Sequence, residues 1–383
     1  MSQLNPRQND ASPGQVYFDL TASNFQSTTS SPPVFEFNEA RASPYLMNPS
    51  LYELSILRFT VDSTSMPLSV ISIQPGQGDR DLTIYSVCLE YTSEGTLYSS
   101  GQVFVRWIAQ DESAALPAPP NQTFNGLQDD SQGYYNAYSY TWFVALVYRA
   151  LATAFAQLAA AVELPTVHPP VINWDSSSGG AVLYADVDGY DTVEGGISIY
   201  MNAPLFSGMF SSFPAKLLGY EGVLRGRFAR ILMTQIGNTN TMVIVPKDPT
   251  QPSYTAIVQY QEYSTVSSWS SIVAFVFCSN TLPIEPNQVS TPISWNNNQL
   301  ATSGLNSATA NIITDIATDS GLYRPFVYYV PPGENRRLTL YGNTPLTNID
   351  IQVYYRLKTG VLVPFRLGSG GAVTLKLAFL KKH

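Results

Sequence analysis

The chain has 383 residues, 44% of them hydrophobic, which is enough for two domains with a sizeable core. Charged residues make up only 13%, and the net charge of −8 comes with 20 basic side chains spread along the sequence, which disfavours direct binding to nucleic acid. The many tyrosines, 24 in all, on a weakly charged chain are typical of proteins that associate with other subunits.

The N-terminal 40 residues are rich in Ser, Pro, Asn and Gln, and only residues 16–20 have a strand-like pattern. A stretch of this kind buries too little apolar surface to fold alone, so we expect residues 1–40 to form an extended or disordered arm. No basic and then apolar segment opens the sequence, so we do not expect a secretory route.

Short segments with alternating apolar side chains follow, rich in Val, Ile, Thr, Tyr and Phe and bounded by Pro, Gly, Asp and Ser. This pattern predicts β-strands. The predicted strands of the next segment, residues 41–125, are 54–61, 68–73, 82–91 and 102–109.

One long helix is predicted over residues 137–163, where Ala is frequent and the prolines that follow end the helix. The run 140–162 is long enough to span a membrane, but Arg149 and Gln157 interrupt it, and Ala-rich sequence also forms soluble helices. We therefore favour a buried amphipathic helix, suited to a subunit contact, over a membrane role.

The rest of the chain continues as short strands, roughly seventeen in total, which is more than the eight of a single jelly roll. We predict a mainly β protein, a jelly-roll sandwich with a large mostly-β insertion or a second β-module. Residues 126–253 would form that insertion or module and carry the helix, and residues 254–383 would complete the sandwich. Near the end, residues 349–355 and 362–367 predict a hairpin, and residues 373–379 predict a strand that closes the same sheet.

Residues for nucleophilic catalysis are scarce. A Ser or Cys nucleophile normally needs a His base, and the two histidines are His168, between prolines, and His383. The nucleophile-elbow, phosphate-loop and zincin motifs do not occur. We predict no enzyme activity, no catalytic residues and no cofactor.

The strongest acidic cluster is Asp186, Asp188 and Asp191. Carboxylates at this spacing can bind Ca²⁺, but the remaining ligands of a calcium loop are missing, so a tight turn at residues 188–189 is favoured over a metal site. Two cysteines, Cys88 and Cys278, lie in strand-like runs and predict buried thiols rather than a bridge.

Several stretches of the last third resemble the penton (minor capsid) proteins of polinton-like viruses, adintoviruses and virophages. They are QEYSTVSSWSSIVAFVFCSNTLPIEPNQVSTP at 261–292, NIITDIATDSGLYRPFVYYVPP at 311–332 and NIDIQVYYRLKTGVLVPFRLGSGGAVTLKLAFLKKH at 348–383. Residues 172–214 resemble this family less specifically. Together these stretches cover about a third of the chain.

The resemblance implies a structural capsid protein, a homopentamer at the five-fold vertices of an icosahedral virion, in contact with the major capsid protein. The middle third would face outward and include any contact with a host-cell receptor. The aromatic, proline-edged stretch with Tyr323, Tyr328, Tyr329 and Pro331 is suited to a subunit contact.

Three alternatives remain open at this point. Another viral coat or shell protein would usually carry a basic arm, whereas residues 1–40 contain only Arg7. A non-viral carbohydrate-binding or carbohydrate-hydrolysing β-sandwich would use the aromatic side chains as stacking platforms. A membrane-active protein would use the apolar run 140–162.

Overall fold

The computed structural model describes residues 13–25, 35–62, 66–74, 78–110, 128, 130, 133–190, 195–219, 227–233, 240–246, 252–284, 311–318, 326–330, 336–358 and 360–382. They form a mainly β structure with one long helix, as the sequence predicts.

The strands, in chain order, are β1 Gln15–Ser23, β2 Glu36–Ala40, β3 Tyr52–Asp62, β4 Ser69–Val70, β5 Leu82–Ser93, β6 Thr96–Ser99, β7 Val103–Arg106, β8 Asn136–Ala137, β9 Val171–Asp175, β10 Gly180–Asp186, β11 Ser198–Asn202, β12 Ala215–Gly219, β13 Arg227–Ile231, β14 Thr241–Ile244, β15 Tyr254–Tyr260, β16 Ile272–Ser279, β17 Asn311–Ala317, β18 Phe326–Tyr329, β19 Leu338–Thr339, β20 Asn348–Leu357, β21 Leu362–Pro364 and β22 Ala372–Lys381. The helices are α1 Tyr140–Ala161, α2 Val187–Tyr190, α3 Ala203–Leu205 and α4 Val266–Trp269, with a 3-10 turn at Pro49–Leu51 and a π-helical turn at Phe206–Phe210.

Eight strands form a jelly-roll sandwich. Sheet I has the order β1-β22-β3-β18, with β19 added on β3, and sheet II has the order β2-β20-β16-β17, with β21 added on β20. All neighbouring strands in these sheets are antiparallel. Counted along the chain, the first, third, sixth and eighth of these strands lie in sheet I, and the other four lie in sheet II. This is the connectivity of a jelly roll.

Aromatic side chains fill the space between the two sheets. Phe59 on β3 lies 5.1 Å from Phe275 and 4.9 Å from Phe277 on β16, measured between ring centroids. On β22 the alternation holds as predicted, with residues 373, 375, 377 and 379 buried in this core. Phe59 and Phe277 are arranged edge to face, and a pair of this kind adds roughly 0.5–1.5 kcal/mol beyond the burial of its area.

The N-terminal segment contributes to the sandwich in its own chain. Strand β1 pairs with β22 along its whole length, and β2 pairs with β20. The segment that was predicted as an extended or disordered arm therefore supplies two strands of the sandwich. Its residues outside 16–20 also form strand hydrogen bonds, and their partners lie more than 300 residues away in the sequence. Residues 1–12 and 26–34 lie outside the described residues.

An inserted unit occupies the chain between the end of β3 and the start of β16. Sheet III has the order β14-β15-β10-β9, sheet IV has the order β12-β13-β11-β5-β6 with β7 on β5, and β4 pairs with β8. Strands β5 to β7 were predicted to belong to the sandwich segment 41–125, but they pair within the insertion. Their alternation shows which face is buried and does not show which strand is the partner.

Helix α1 lies inside the insertion, within the predicted range of 137–163. It begins after Ser139, whose hydroxyl accepts a 3.3 Å hydrogen bond from the amide of Trp142. One face is buried against the insertion, whereas Arg149 and Gln157 are exposed. By length and composition this helix could cross a membrane, but 50% of its most apolar window is buried inside the protein.

Candidate assembly surfaces

The aromatic stretch proposed as a contact lies at an edge of sheet I. Tyr328 on β18 pairs with Thr60 and is 62% exposed, whereas Tyr329 pairs with Phe59 and is half-buried against the core. Tyr323 and Pro331 lie outside the described residues. The structure therefore presents one large exposed aromatic side chain of this stretch on β18, one of the two edge strands of the sheet.

The sandwich has two sides on which edge strands lie. Strand β1 contacts β2, and β3 packs on β16 through Phe59 and Phe275. The strands of the two sheets therefore face each other in the order in which they are given above, so β18 lies on the same side of the sandwich as β17. We call the two surfaces the β1–β2 side and the β17–β18 side. They differ in sequence, which is what a ring built from one kind of subunit requires.

Charges are distributed unevenly over these two sides. Asp315 on β17 pairs with Arg336 at 2.5 Å and with Arg356 at 3.3 Å. Glu36 and Glu39 on β2 are both exposed. On the outer face of sheet I, Asp19 pairs with Arg58 at 3.1 Å. Exposed pairs of this kind contribute little to the free energy of folding, so their positions matter more for recognition than for stability.

The acidic cluster that was a weak metal candidate has a structural role at Asp186. This side chain is buried and accepts hydrogen bonds from the Thr166 hydroxyl at 2.5 Å and from the Asp188 amide at 3.2 Å. Asp188 is exposed on α2, a helical turn that stands where a strand turn was predicted, and Asp191 lies outside the described residues. Within the described ranges, no three His, Cys, Asp or Glu side chains are grouped as metal ligands.

The described histidine, His168, and both cysteines are buried. The ring of His168 stacks on Tyr254 at 4.0 Å between centroids, and its carbonyl oxygen lies 3.5 Å from the Tyr190 hydroxyl. Cys88 and Cys278 are buried and free. Burial raises the pKa of both thiols, that of Cys278 to about 12. Since the thiolate is the reactive form, neither thiol is prepared for nucleophilic chemistry.

A cavity of about 340 Å³, which no pattern in the sequence predicts, lies where the sandwich meets the insertion. Its walls include Met209, Trp269, Ser271 and Lys358. The indole nitrogen of Trp269 donates to the Met209 carbonyl at 2.9 Å, and Lys358 Nζ donates to the Ser268 carbonyl at 2.8 Å. The Lys358 bond connects the sandwich with the insertion, whereas the Trp269 bond lies within the insertion. In the sequence, Trp269 at this junction is flanked by serines on both sides.

Comparisons with known proteins address the function of this fold. The family model for the Sputnik minor capsid protein V18/19 matches residues 16–381. Structural protein V19 of Sputnik virophage is 30% identical over 213 residues, 55% of this chain and 93% of the relative. Uncharacterized protein V18 of the same virophage is 32% identical over 151 residues, 39% of this chain and 87% of the relative.

Solved structures match over nearly the whole chain. A chain of the Sputnik virophage structure, determined by cryo-EM at 3.5 Å resolution, has a TM-score of 0.77 at 28% identity and covers 97% of this chain and 99% of its own. The mavirus penton protein has the same fold, with a TM-score of 0.60 at 15% identity over 96% of this chain and 99% of that protein. The resemblance to virophage minor capsid proteins is confirmed: the chain belongs to the Sputnik minor capsid protein V18/19 family and is a structural protein of a virus capsid.

Proposed function

We propose that this chain is a penton subunit, five copies of which close a ring at each five-fold vertex of an icosahedral capsid. The observation that supports this best is the extent of the likeness to the mavirus penton protein, which includes both the sandwich and the insertion and covers 96% of this chain. A ring of five needs the same heterologous contact to repeat and close, and the sandwich offers two unlike sides for it.

The mechanism is assembly, and we propose no catalytic activity. In the described part of the chain, His168 is stacked on Tyr254 in the interior, and the two thiols are kept protonated by burial. The ring would in turn contact the major capsid protein, whose subunits surround each vertex in an icosahedral shell.

The insertion is the part that we assign to outward contacts, including a host-cell receptor. It leaves and re-enters the sandwich at one end, and its strand β14, at the edge of sheet III, exposes apolar side chains at Met242 and Val243. We propose no direct contact with nucleic acid, because the chain carries a net charge of −8, and no membrane insertion, because α1 buries its apolar face.

The mass of the purified full-length chain tests this proposal, by native mass spectrometry and by light scattering over a range of concentrations. We expect a species of five times the chain mass. A variant without residues 1–12 keeps both β1 and β2. Its mass tests whether the N-terminal residues contribute to the pentamer. A trimeric or hexameric species would contradict the penton role and favour another shell position, and imaging of virions should place the subunit density on the five-fold axes.

A further inference from the structure

The two edges of sheet II carry opposite charge. The first edge is β2, where Glu36 and Glu39 are exposed. Neither carboxylate lies within ion-pair distance of a basic group among the described residues. Arg41 lies directly after β2, with its guanidinium over the rings of Phe18 and Tyr45. The two exposed carboxylates of β2 outnumber this cation, so the edge has a local negative potential.

The opposite edge is β17, and among the described side chains that pair with each other there the cations are in excess. Asp315 is shared by Arg336 and Arg356, so two guanidinium groups face one carboxylate. The Arg336 side chain is 65% exposed. Its planar group has five donors, and the pair with Asp315 leaves several of them free to bind a second carboxylate.

The two charged groups lie at similar heights along the strands. Through the pairing of the sheet, Glu36 is level with Gln352 on β20, whereas Asp315 is level with Val276 and therefore with Tyr354. Gln352 and Tyr354 are two residues apart, a difference of about 7 Å. In a ring whose axis runs along the strands, these heights are the same in neighbouring subunits, and the long side chains of Arg336 and Glu36 can bridge the remaining offset.

We infer that the partner of the β17–β18 side is the β1–β2 side of a second copy of this chain, with Arg336 of one subunit facing Glu36 of the next. This rests on the proposed function, because the contact is the one that would close the ring. The exposed Tyr328 and Val330 lie on the same side as Arg336 and supply apolar contact area beside the charges. The charge complementarity selects the head-to-tail orientation, since two β2 edges would repel each other.

Charge reversal tests the contact. The variants are Glu36→Arg, Arg336→Glu and the double variant with both changes, and Arg336→Gln removes the charge without adding a second carboxylate beside Asp315. Sedimentation and mass photometry over a concentration series give the concentration at which half of the chains are assembled. We expect each single reversal to raise that concentration about fivefold or more, and the double variant to return close to the wild-type value, because the exchanged charges meet again in the ring.

Matched controls are Glu163→Lys, just past the end of α1, and Arg149→Glu, in the middle of α1, which each reverse an exposed charge in the insertion. They should leave the assembly concentration unchanged, and circular dichroism should show every variant folded. A wild-type pentamer that is indifferent to both single reversals, or single reversals that the double variant does not rescue, would overturn this contact and leave the penton role standing. A wild-type chain that forms no pentamer would instead overturn the penton role itself.

Discussion

The hydroxyl oxygen of Ser271 accepts a 3.0 Å hydrogen bond from the backbone amide of Val70, although 201 residues separate the two in sequence. The same hydroxyl lies 3.2 Å from the Val70 carbonyl. Val70 stands where the chain has just left the sandwich, and Ser271 stands where it is about to return. The Ser271 side chain therefore connects, by hydrogen bonds, the two segments that join the insertion to the sandwich.

Replacement of this serine should loosen the junction. Ser271→Ala leaves the Val70 amide without its partner, at a cost of about 1 kcal/mol, so we expect the amide of Val70 to exchange its hydrogen about fivefold faster. Hydrogen–deuterium exchange with mass spectrometry measures this for peptides that contain residues 69–71. Ser207→Ala, at an exposed position, is the control. An unchanged exchange rate of the Val70 amide in Ser271→Ala would mean that this hydrogen bond does not stabilise the junction between the sandwich and the insertion.

Trp269 should be the most sensitive position of the junction. It is buried, and its ring lies within 5.2–5.7 Å of Tyr140, Phe143, Phe210 and Trp174, measured between centroids. We expect Trp269→Ala to lower the free energy of unfolding by about 3–5 kcal/mol because it leaves a cavity among these rings. Urea unfolding followed by circular dichroism gives the value.

A milder change at the same position separates packing from hydrogen bonding. Trp269→Phe keeps a ring but removes the indole donor to the Met209 carbonyl. That carbonyl also accepts from the Thr265 hydroxyl, so we expect Trp269→Phe to cost clearly less than Trp269→Ala. Equal losses for the two variants would show that the indole donor, and not the ring packing, holds the junction. Trp142→Phe, a half-buried position in α1, is the control.

Asp350 should make stability depend on acid pH. Burial alone raises the pKa of this carboxyl, but hydrogen bonds from Ser279, Asn280 and Thr281 outweigh that effect and hold the pKa below its usual range. A lowered pKa in the folded state gives stability that is present above the unfolded value of about 3.9 and is lost as the pH falls through the folded value.

The variant Asp350→Asn tests this dependence. We expect it to be less stable than the wild type at pH 7 by about 1–3 kcal/mol, because the amide cannot accept all of these bonds. The difference in melting temperature should shrink as the pH falls below about 4, where the wild-type carboxyl takes up its proton. Asp188→Asn, at an exposed position, is the control. A difference that stays constant with pH would contradict the role assigned to the ionised carboxyl.

Both thiols should be inert in the folded protein. With a pKa of about 12 for Cys278, the thiolate fraction at pH 8 is on the order of one in ten thousand, and burial also blocks access. We expect Ellman's reagent to modify neither cysteine in the native protein and both in guanidinium. Ala160→Cys places a thiol on the exposed face of α1 and should react at once. Rapid modification of native Cys88 or Cys278 would show that the sandwich or insertion opens locally.

Features that depend on neighbouring residues could be predicted from the sequence. Helix α1 was predicted because a mostly apolar run, a high Ala content and the prolines after it all lie within one stretch. The buried face of β22 was predicted because alternate residues from Val373 to Phe379 are apolar. The exposed position of Tyr328 also agrees with its interpretation as a contact residue, although the contact itself stays a proposal.

Features that depend on distant pairing could not be predicted. The predicted closing strand does not extend the sheet of the hairpin at β20 and β21 but lies in sheet I, between β1 and β3. Alternation specifies a face and leaves the partner strand open. For the same reason the sequence does not predict the opposed charges of Glu36 and Arg336. The two residues are 300 positions apart, and only the order of strands in sheet II sets them on opposite sides.

The position of β22 has a consequence for synthesis on the ribosome. Strands β1 and β3 have no hydrogen bonds to each other in sheet I, because β22 lies between them, and it is translated roughly 300 residues after β3. At about 5–20 residues per second, the two early strands wait on the order of 15–60 seconds for their partner. The insertion is encoded entirely within that interval and pairs its strands internally. It can therefore fold on the nascent chain first, while the charged edges that would join neighbouring subunits do not yet exist.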